Sequence, residues 1–444
     1  MSFVTLADND KAIPSPFSRG RQHRLKFQSI LSEAAKLFNW QGSRATTLAD
    51  IAGSMNLTKT CLYYYVNNKQ DLIYYCYVAS CDLWLEAAEQ SQQMDGSGLD
   101  KVVSMVVWHF DRYMQTLEGR ASHPAMLAEV SSLDPAHAED IQQRRSAIFK
   151  HCQAMVEDGI EDGSIVGLNA EVIVLAVFSV LQWLPVWMNR THAADAAPVI
   201  EGVVDILVHG LAEQTHVFAD ISLPEISSLS LDNFDREVQN RIKREAFYRV
   251  GAKHFNQKGY KGTSLDEIAA ALDVTKGAFY YHIKNKEELL YQCFRRSIDI
   301  ERQLLLYAGE VGSSGLQRVE LALRYLSNLQ HSAQGPLIRY RALPSLDEQH
   351  RKAILKSSKQ NTELLGNYIN AGITVNNLRN VDVGIAQHLL SGAVEASADL
   401  AVWVTSSPEY DPSVDYFKVF INGLSALPRG SKRRSNLADG GKWR

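Results

Sequence analysis

Two groups of residues stand out for what their side chains can do. In one, Thr58-Lys59 is followed by Tyr63-Tyr64 and then Asn68-Lys69; in the other, Thr275-Lys276 is followed by Tyr280-Tyr281 and Asn285-Lys286. A lysine ammonium can reach phosphate oxygens or base acceptors, and a tyrosine hydroxyl can donate to phosphate. This is recognition chemistry rather than bond-breaking chemistry. The chain has no G-x-S-x-G elbow, phosphate-binding glycine loop or His-Glu helix motif, so no enzymatic activity is expected. His109, His137, His350 and His388 lack metal-ligand spacing and read as surface or hydrogen-bonded histidines; no metal or cofactor is expected.

The lysines and tyrosines need short helices to present them. Thr47 is placed to cap a helix over Leu48–Ser54, Asn56 suits a left-handed turn residue, and Thr58 is placed to cap Lys59–Tyr65. The second group repeats this: Ser264 caps Leu265–Leu272, Asp273-Val274 turns, and Thr275 caps Lys276–His282. Two short helices joined by a three- or four-residue turn make a helix-turn-helix, whose second helix enters the DNA major groove by its N-terminal residues. Thr60, Gly277 and the two lysines stand at those ends. Lys69 and Lys286 open the next helices, where backbone amides also favour phosphate. Arg19, Arg21, Arg24 and Lys26 form a basic arm upstream, matched by Arg241, Lys243, Arg244 and Arg249.

The two groups belong to a duplication. At an offset of 217, Phe38…Gly42 meets Phe255…Gly259, Ile51-Ala52 meets Ile268-Ala269, and the match runs to Leu99 and Leu316. At an offset of 213, Ser132-Leu133-Asp134 meets Ser345-Leu346-Asp347. The copied unit is far longer than a solenoid repeat, so a whole two-part domain has been duplicated. The expected divisions are a first head over 20–67, a helical region over 68–217, a linker over 218–236, a second head over 237–284, a second helical region over 285–427 and a disordered basic tail over 428–444. Apolar spacing is helical throughout, as at Leu31, Ala34, Ala35 and Phe38, and no sustained alternation of period two occurs. The fold class is all-α.

Net charge is −4, so any polyanion contact must come from local basic patches. The most apolar run, Val172–Met188, is interrupted by Gln182 and Pro185 and reads as a core helix, so no membrane span is expected. Met1–Asp10 lacks the basic start of a secretory signal, and five cysteines without metal spacing read as reduced thiols; the expected location is cytoplasmic. Cys61 places one thiol in a recognition helix.

Thr58-Lys59…Tyr63-Tyr64-Tyr65…Asn68-Lys69 and Thr275-Lys276-Gly277-Ala278-Phe279-Tyr280-Tyr281…Asn285-Lys286, with Phe38…Gly42 and Phe255…Gly259, resemble the TetR family of regulators. The resemblance implies a three-helix DNA-binding head followed by a helical ligand-binding and dimerisation region, present twice. It implies DNA contacts at Thr47, Thr58, Lys59, Thr60, Tyr63, Tyr64 and Lys69. In the second copy they fall at Ser264, Thr275, Lys276, Gly277, Tyr280, Tyr281 and Lys286. Thr60 stands where the family usually has glycine. The implied partners are a double-stranded DNA operator and a small-molecule inducer, acyl-CoA-like or another apolar acid. Its pocket would draw on the aromatic cluster Trp84, Trp108, Phe178, Trp183 and Trp187, whose structural reading is ordinary core. The implied assembly is an intramolecular pseudo-dimer, in which Asn169–Met188 and Pro198–Glu213 pack against Val381–Thr405 and Asp415–Leu427; a dimer of chains is the variant. The competing reading is a scaffold that binds a partner regulator instead of DNA.

Overall fold

The computed structural model describes residues 20–127, 130, 133–188, 196–218, 221, 236–332, 334–405 and 410–427. Arg19, the centre of the expected linker and the tail over 428–444 lie outside them. Among the described residues every regular element is a helix. The first unit runs α1 Arg21–Ala45, α2 Leu48–Ser54, α3 Lys59–Tyr63, α4 Lys69–Gln92, α5 Gly98–Leu117, α6 Pro135–Glu161, α7 Ala170–Trp187 and α8 Ala197–His209. The second runs α9 Arg236–Gly262, α10 Leu265–Ala271, α11 Lys276–His282, α12 Lys286–Val311, α13 Gly315–His331, a 3-10 turn Tyr340–Ser345, α14 Glu348–Thr374, α15 Val383–Ser397, α16 Leu400–Trp403 and α17 Pro412–Asn422.

The duplication is written in the helix starts. Asn68, Ser97, Asp134 and Asn169 cap α4 to α7 through side-chain oxygens. Asn285, Ser314, Asp347 and Asp382 cap α12 to α15 in the same way. Each satisfies amides that the first helical turn leaves without partners.

The two units meet through their last long helices. α7 and α8 each pack against α15 and α17, the pairing expected from the sequence. α7 is buried almost all round and continues past Pro185 to Trp187. The seam has two-fold character: Ile165 bridges Ser425 while Ala212 bridges Leu378, and these four positions exchange under the offset of 213. Such reciprocity marks a self-complementary interface. On its axis Gly210 and Gly423 face each other, each at positive φ. Arg379 adds a two-pronged ion pair to Asp205 across the seam at 2.8 Å. His216, just beyond α8, is pinned to the second unit by Asn422 and by Glu320, 2.7 Å from its Nε2. One hydrophobic core runs from the first head through both helical regions, and the second head has its own.

Candidate nucleic-acid interface and ligand cavity

Each recognition helix is fixed by caps on both sides of a left-handed turn. Thr47 and Asp50 form a reciprocal capping box, with Thr47 N donating to Asp50 Oδ2 at 2.7 Å and Asp50 N to Thr47 Oγ1 at 3.1 Å. The bonds that Thr47 N and Thr47 Oγ1 donate to Asp50 Oδ2, with the charge of Lys69, hold the Asp50 carboxyl below its usual range. Asn56 and its counterpart Asp273 take φ of 54° and 52°, the left-handed turn that the sequence suggested for Asn56. Thr58 then accepts from Cys61 N and Thr275 from Ala278 N. Ser264 caps α10 from Asp266 N, without the reciprocal half of the box. α3 ends at Tyr63, two residues before the expected Tyr65, whose ring stacks on Phe27.

Leu62 and Phe279 are fully buried and anchor α3 and α11. The tyrosine pairs face outward: Tyr63 and Tyr64 are 48% and 61% exposed, Tyr280 and Tyr281 46% and 79%. Thr47, Thr58, Lys59, Thr60, Thr275, Lys276 and Gly277 are exposed as well, while Ser264, Lys69 and Lys286 are half-buried. A β-carbon at Gly277 would meet nothing within 4 Å, so packing does not require glycine there. The lysines differ between heads. Lys59 lies over the Tyr63 ring at 5.6 Å, whereas Lys276 is paired with Asp266 at 2.5 Å. Lys286 donates to Thr263 O at 2.8 Å and lies over Tyr260.

The basic residues read as arms are instead helical. Arg21, Arg24 and Lys26 fall in the first turns of α1, and Lys243, Arg244 and Arg249 within α9. Phe27 and Phe247, buried on the same helices, draw these segments into the heads. Cys61 is exposed, whereas Cys76, Cys81, Cys152 and Cys293 are buried and their thiols pushed up by desolvation.

The aromatic cluster divides in two. Trp84 lies 5.2 Å from Phe178 and 4.0 Å from His109, which also meets Trp108; all pack inside the first unit. Burial pushes His109 down to about 3, so it is neutral. Trp183 and Trp187 instead reach across the seam into a cavity of about 350 Å³ in the second unit. Trp183 meets Tyr340 edge-on and Trp187 stacks on His388. Trp84, Trp108 and Phe178 do not line this cavity. Sequence reasoning missed its polar lining, Glu301 and Asn361 above all. Asn361 Nδ2 donates to Glu301 at 3.1 Å and to Ile298 O at 3.0 Å. Burial raises the Glu301 carboxyl to about 7.

The cavity wall touches both heads. Leu337, Ile338 and Tyr340 line it. In the same segment Leu337 O accepts from Asn256 Nδ2 of the second head, and Arg339 N donates to Asn256 Oδ1. The 3-10 turn that follows packs on α1 of the first head, with Pro344 against Gly42. Among the described residues the first unit repeats the local half of this linkage, Asn39 with Pro124 and Met126. Glu287, Asp347 and His350 cluster within 4.8 Å, but as a helix cap: Asp347 accepts from His350 N, and Asp347 N donates to Glu287.

Comparison with known proteins places these parts. The profile described as "Bacterial regulatory proteins, tetR family" matches residues 30–76 and again 248–293, and "Tetracyclin repressor-like, C-terminal domain" matches 95–211. The Transposon Tn10 TetC protein of Escherichia coli is 50% identical over 44 residues, 10% of this chain and 22% of that protein. The biofilm operon icaADBC negative transcriptional regulator IcaR of Staphylococcus epidermidis is 43% identical over 49 residues, 10% of this chain and 26% of that protein. The regulator AcrR of Shigella flexneri is 41% identical over 54 residues, 12% and 25% respectively. The chain thus spans about a quarter of the length of these relatives. Among solved structures, apo AibR aligns with 41% of this chain and 99% of its own at 21% identity and a TM-score of 0.35. PfmR from Thermus thermophilus aligns with 42% and 96% at 24% identity and a TM-score of 0.35. Because the head profile recurs in both halves, over the very helices that carry the exposed tyrosine pairs, the chain carries the TetR-family head twice, in tandem.

Proposed function

We propose that the chain is a ligand-responsive transcriptional repressor whose two heads read one double-stranded operator. The observation that carries this reading is that α3 and α11 present the same exposed lysine and tyrosine pair from separately anchored helices. Nothing in the packing asks for two exposed aromatic rings at both places. Phosphate and base edges do. The profile match and the regulators named above support the same reading. In this proposal Thr47, Thr58, Lys59, Thr60, Tyr63, Tyr64 and Lys69 contact one half-site. Ser264, Thr275, Lys276, Gly277, Tyr280, Tyr281 and Lys286 contact the other.

The seam between α7–α8 and α15–α17 supports a single chain as the DNA-binding unit, a pseudo-dimer. Covalent linkage holds its halves at an effective concentration of about the millimolar range. A scaffold that binds a partner regulator would have no use for a lysine at the start of both recognition helices. The test is a mobility-shift titration of the full chain on the duplex upstream of its own gene, repeated at several salt concentrations. Saturable retention that weakens steeply with salt is expected. Absence of any retention at low salt, or retention equal to that of unrelated duplex, would overturn the proposal.

A further inference from the structure

The two units differ where a ligand would enter. At the offsets of 217 and 213, Glu301 corresponds to Trp84, Asn361 to Ile148, Thr362 to Phe149 and Ser391 to Phe178. The first unit fills this space with rings: Phe178 lies 5.2 Å from Trp84 and 5.9 Å from Phe149, on which Trp403 of the second unit stacks at 5.0 Å. The second unit has smaller, polar side chains at the same places, and the cavity of about 350 Å³ is what remains. The opening has an unusual wall, because Trp183 and Trp187 come from the other unit.

We infer that this cavity is the one effector site per chain, and that it takes a compact aromatic molecule bearing a protonated amine, with Glu301 as its counter-ion. Glu301 is enclosed by protein, and among the described residues no cation stands within ion-pair distance of it; its polar partner is Asn361 Nδ2. The neighbouring Glu395 is already held by Arg339 at 3.1 Å and by Tyr340 N at 3.0 Å. Asn361 Oδ1 is buried and has no partner, so a second acceptor is open beside the carboxylate. An ammonium carries three donors and can use both. Trp183, about nine-tenths buried with its indole N–H also without a partner, offers a ring face to the aromatic body and a donor to any acceptor on it. A carboxylate ligand would set a second negative charge against Glu301, and a neutral one would leave the ionised carboxylate without a counter-ion. The charge of the cavity therefore points away from an apolar acid and towards an apolar base.

The inference rests on the regulatory reading only for its consequence at DNA; binding can be measured on DNA-free protein. The test is calorimetry on the full chain with three isosteric probes: 1-naphthylmethylamine, 1-naphthalenemethanol and 1-naphthoic acid. It is run near about pH 8, where a carboxyl raised to about 7 is largely ionised. The other titratable groups lining the cavity are Tyr340, Lys359, Glu363, His388 and Glu395. The amine should bind once per chain, at least about tenfold more tightly than the alcohol, with the acid weakest. Glu301→Gln should remove about tenfold or more of the amine affinity and leave the alcohol within about threefold. Ser391→Phe, which copies the first unit's filling, should abolish binding of all three while the melting transition is kept. Failure of the amine to bind, two sites per chain, acid binding equal to amine binding, or an unchanged Glu301→Gln variant would each overturn the inference. A mobility shift of ligand-free protein reports on the DNA reading separately.

Discussion

Alanine at Gly210 tests the seam that joins the units. Gly210 ends α8 at φ 70° and ψ −176°, a backbone region that costs a non-glycine residue about 1–3 kcal/mol. The new β-carbon would lie 2.4 Å from Ile421 O and from the carbonyl carbon of Asn422. Both are backbone atoms, so no side-chain rotation relieves the overlap and the two chain segments at the seam must separate. That loosens Leu211 N to Ile421 O and Ser425 N to Val208 O, each 2.9 Å and each worth about 0.5–1.5 kcal/mol net. Gly210→Ala should therefore destabilise by roughly 2–6 kcal/mol. Gly423→Ala should do the same, since its β-carbon would meet Val208 O at 2.5 Å. The double variant should lose less than the sum, because both substitutions break the same contact. Gly167→Ala, with nothing within 4 Å, is the control and should stay within about 0.5 kcal/mol. Urea unfolding followed by tryptophan fluorescence, with sedimentation velocity for the opening of the two halves, measures all four. A Gly210→Ala variant within about 0.5 kcal/mol of the parent, or fully additive singles, would refute the reasoning.

Lys59→Ala and Lys276→Ala should each cost roughly 1–3 kcal/mol of operator affinity if the lysine reads a base, or flatten the salt slope by about one if it touches phosphate. Unchanged isotherms across salt for both variants would remove α3 and α11 as recognition helices. Thr47→Ala deletes one side of the capping box with Asp50 and should lower stability of the first head by about 1 kcal/mol, read as a shifted urea midpoint. The Glu301 carboxyl, raised from 4.5 to about 7, binds its proton more tightly folded than unfolded. Its contribution is therefore full below about pH 4.5 and lost as pH rises through about 7. Glu301→Gln should match the parent at low pH and exceed it by up to about 3 kcal/mol near pH 8; equal denaturation curves at both pH values would contradict this.

The heads were legible because their information is local. Thr47, Thr58, Ser264 and Thr275 announce helix starts by side-chain chemistry, and Asn56 announces a turn; each does in the structure what its residue type suggests. Exposure of both tyrosines in each pair was not legible, since spacing alone allows one ring of each to turn inward. Of the rings read as a pocket, Trp183 and Trp187 line the cavity, whereas Trp84 and Phe178 are large enough to fill the equivalent space in the first unit. The signal lay in the comparison of copies, where Trp84 and Phe178 give way to Glu301 and Ser391. The contact of the 3-10 turn at Tyr340–Ser345 with α1 joins residues some 300 positions apart, and no local pattern encodes it.

The heads have diverged within the recognition helices, as Lys59-Thr60-Cys61-Leu62 against Lys276-Gly277-Ala278-Phe279. One chain with two different heads needs no palindrome. Selection of bound duplexes from random DNA by the full chain, followed by footprinting, tests this most directly. The expected consensus has two unlike half-sites about one helical turn apart, roughly 34–36 Å, with Lys59→Ala erasing one half and Lys276→Ala the other. No enriched sequence, or a perfect palindrome bound equally well after either half is deleted, would contradict it.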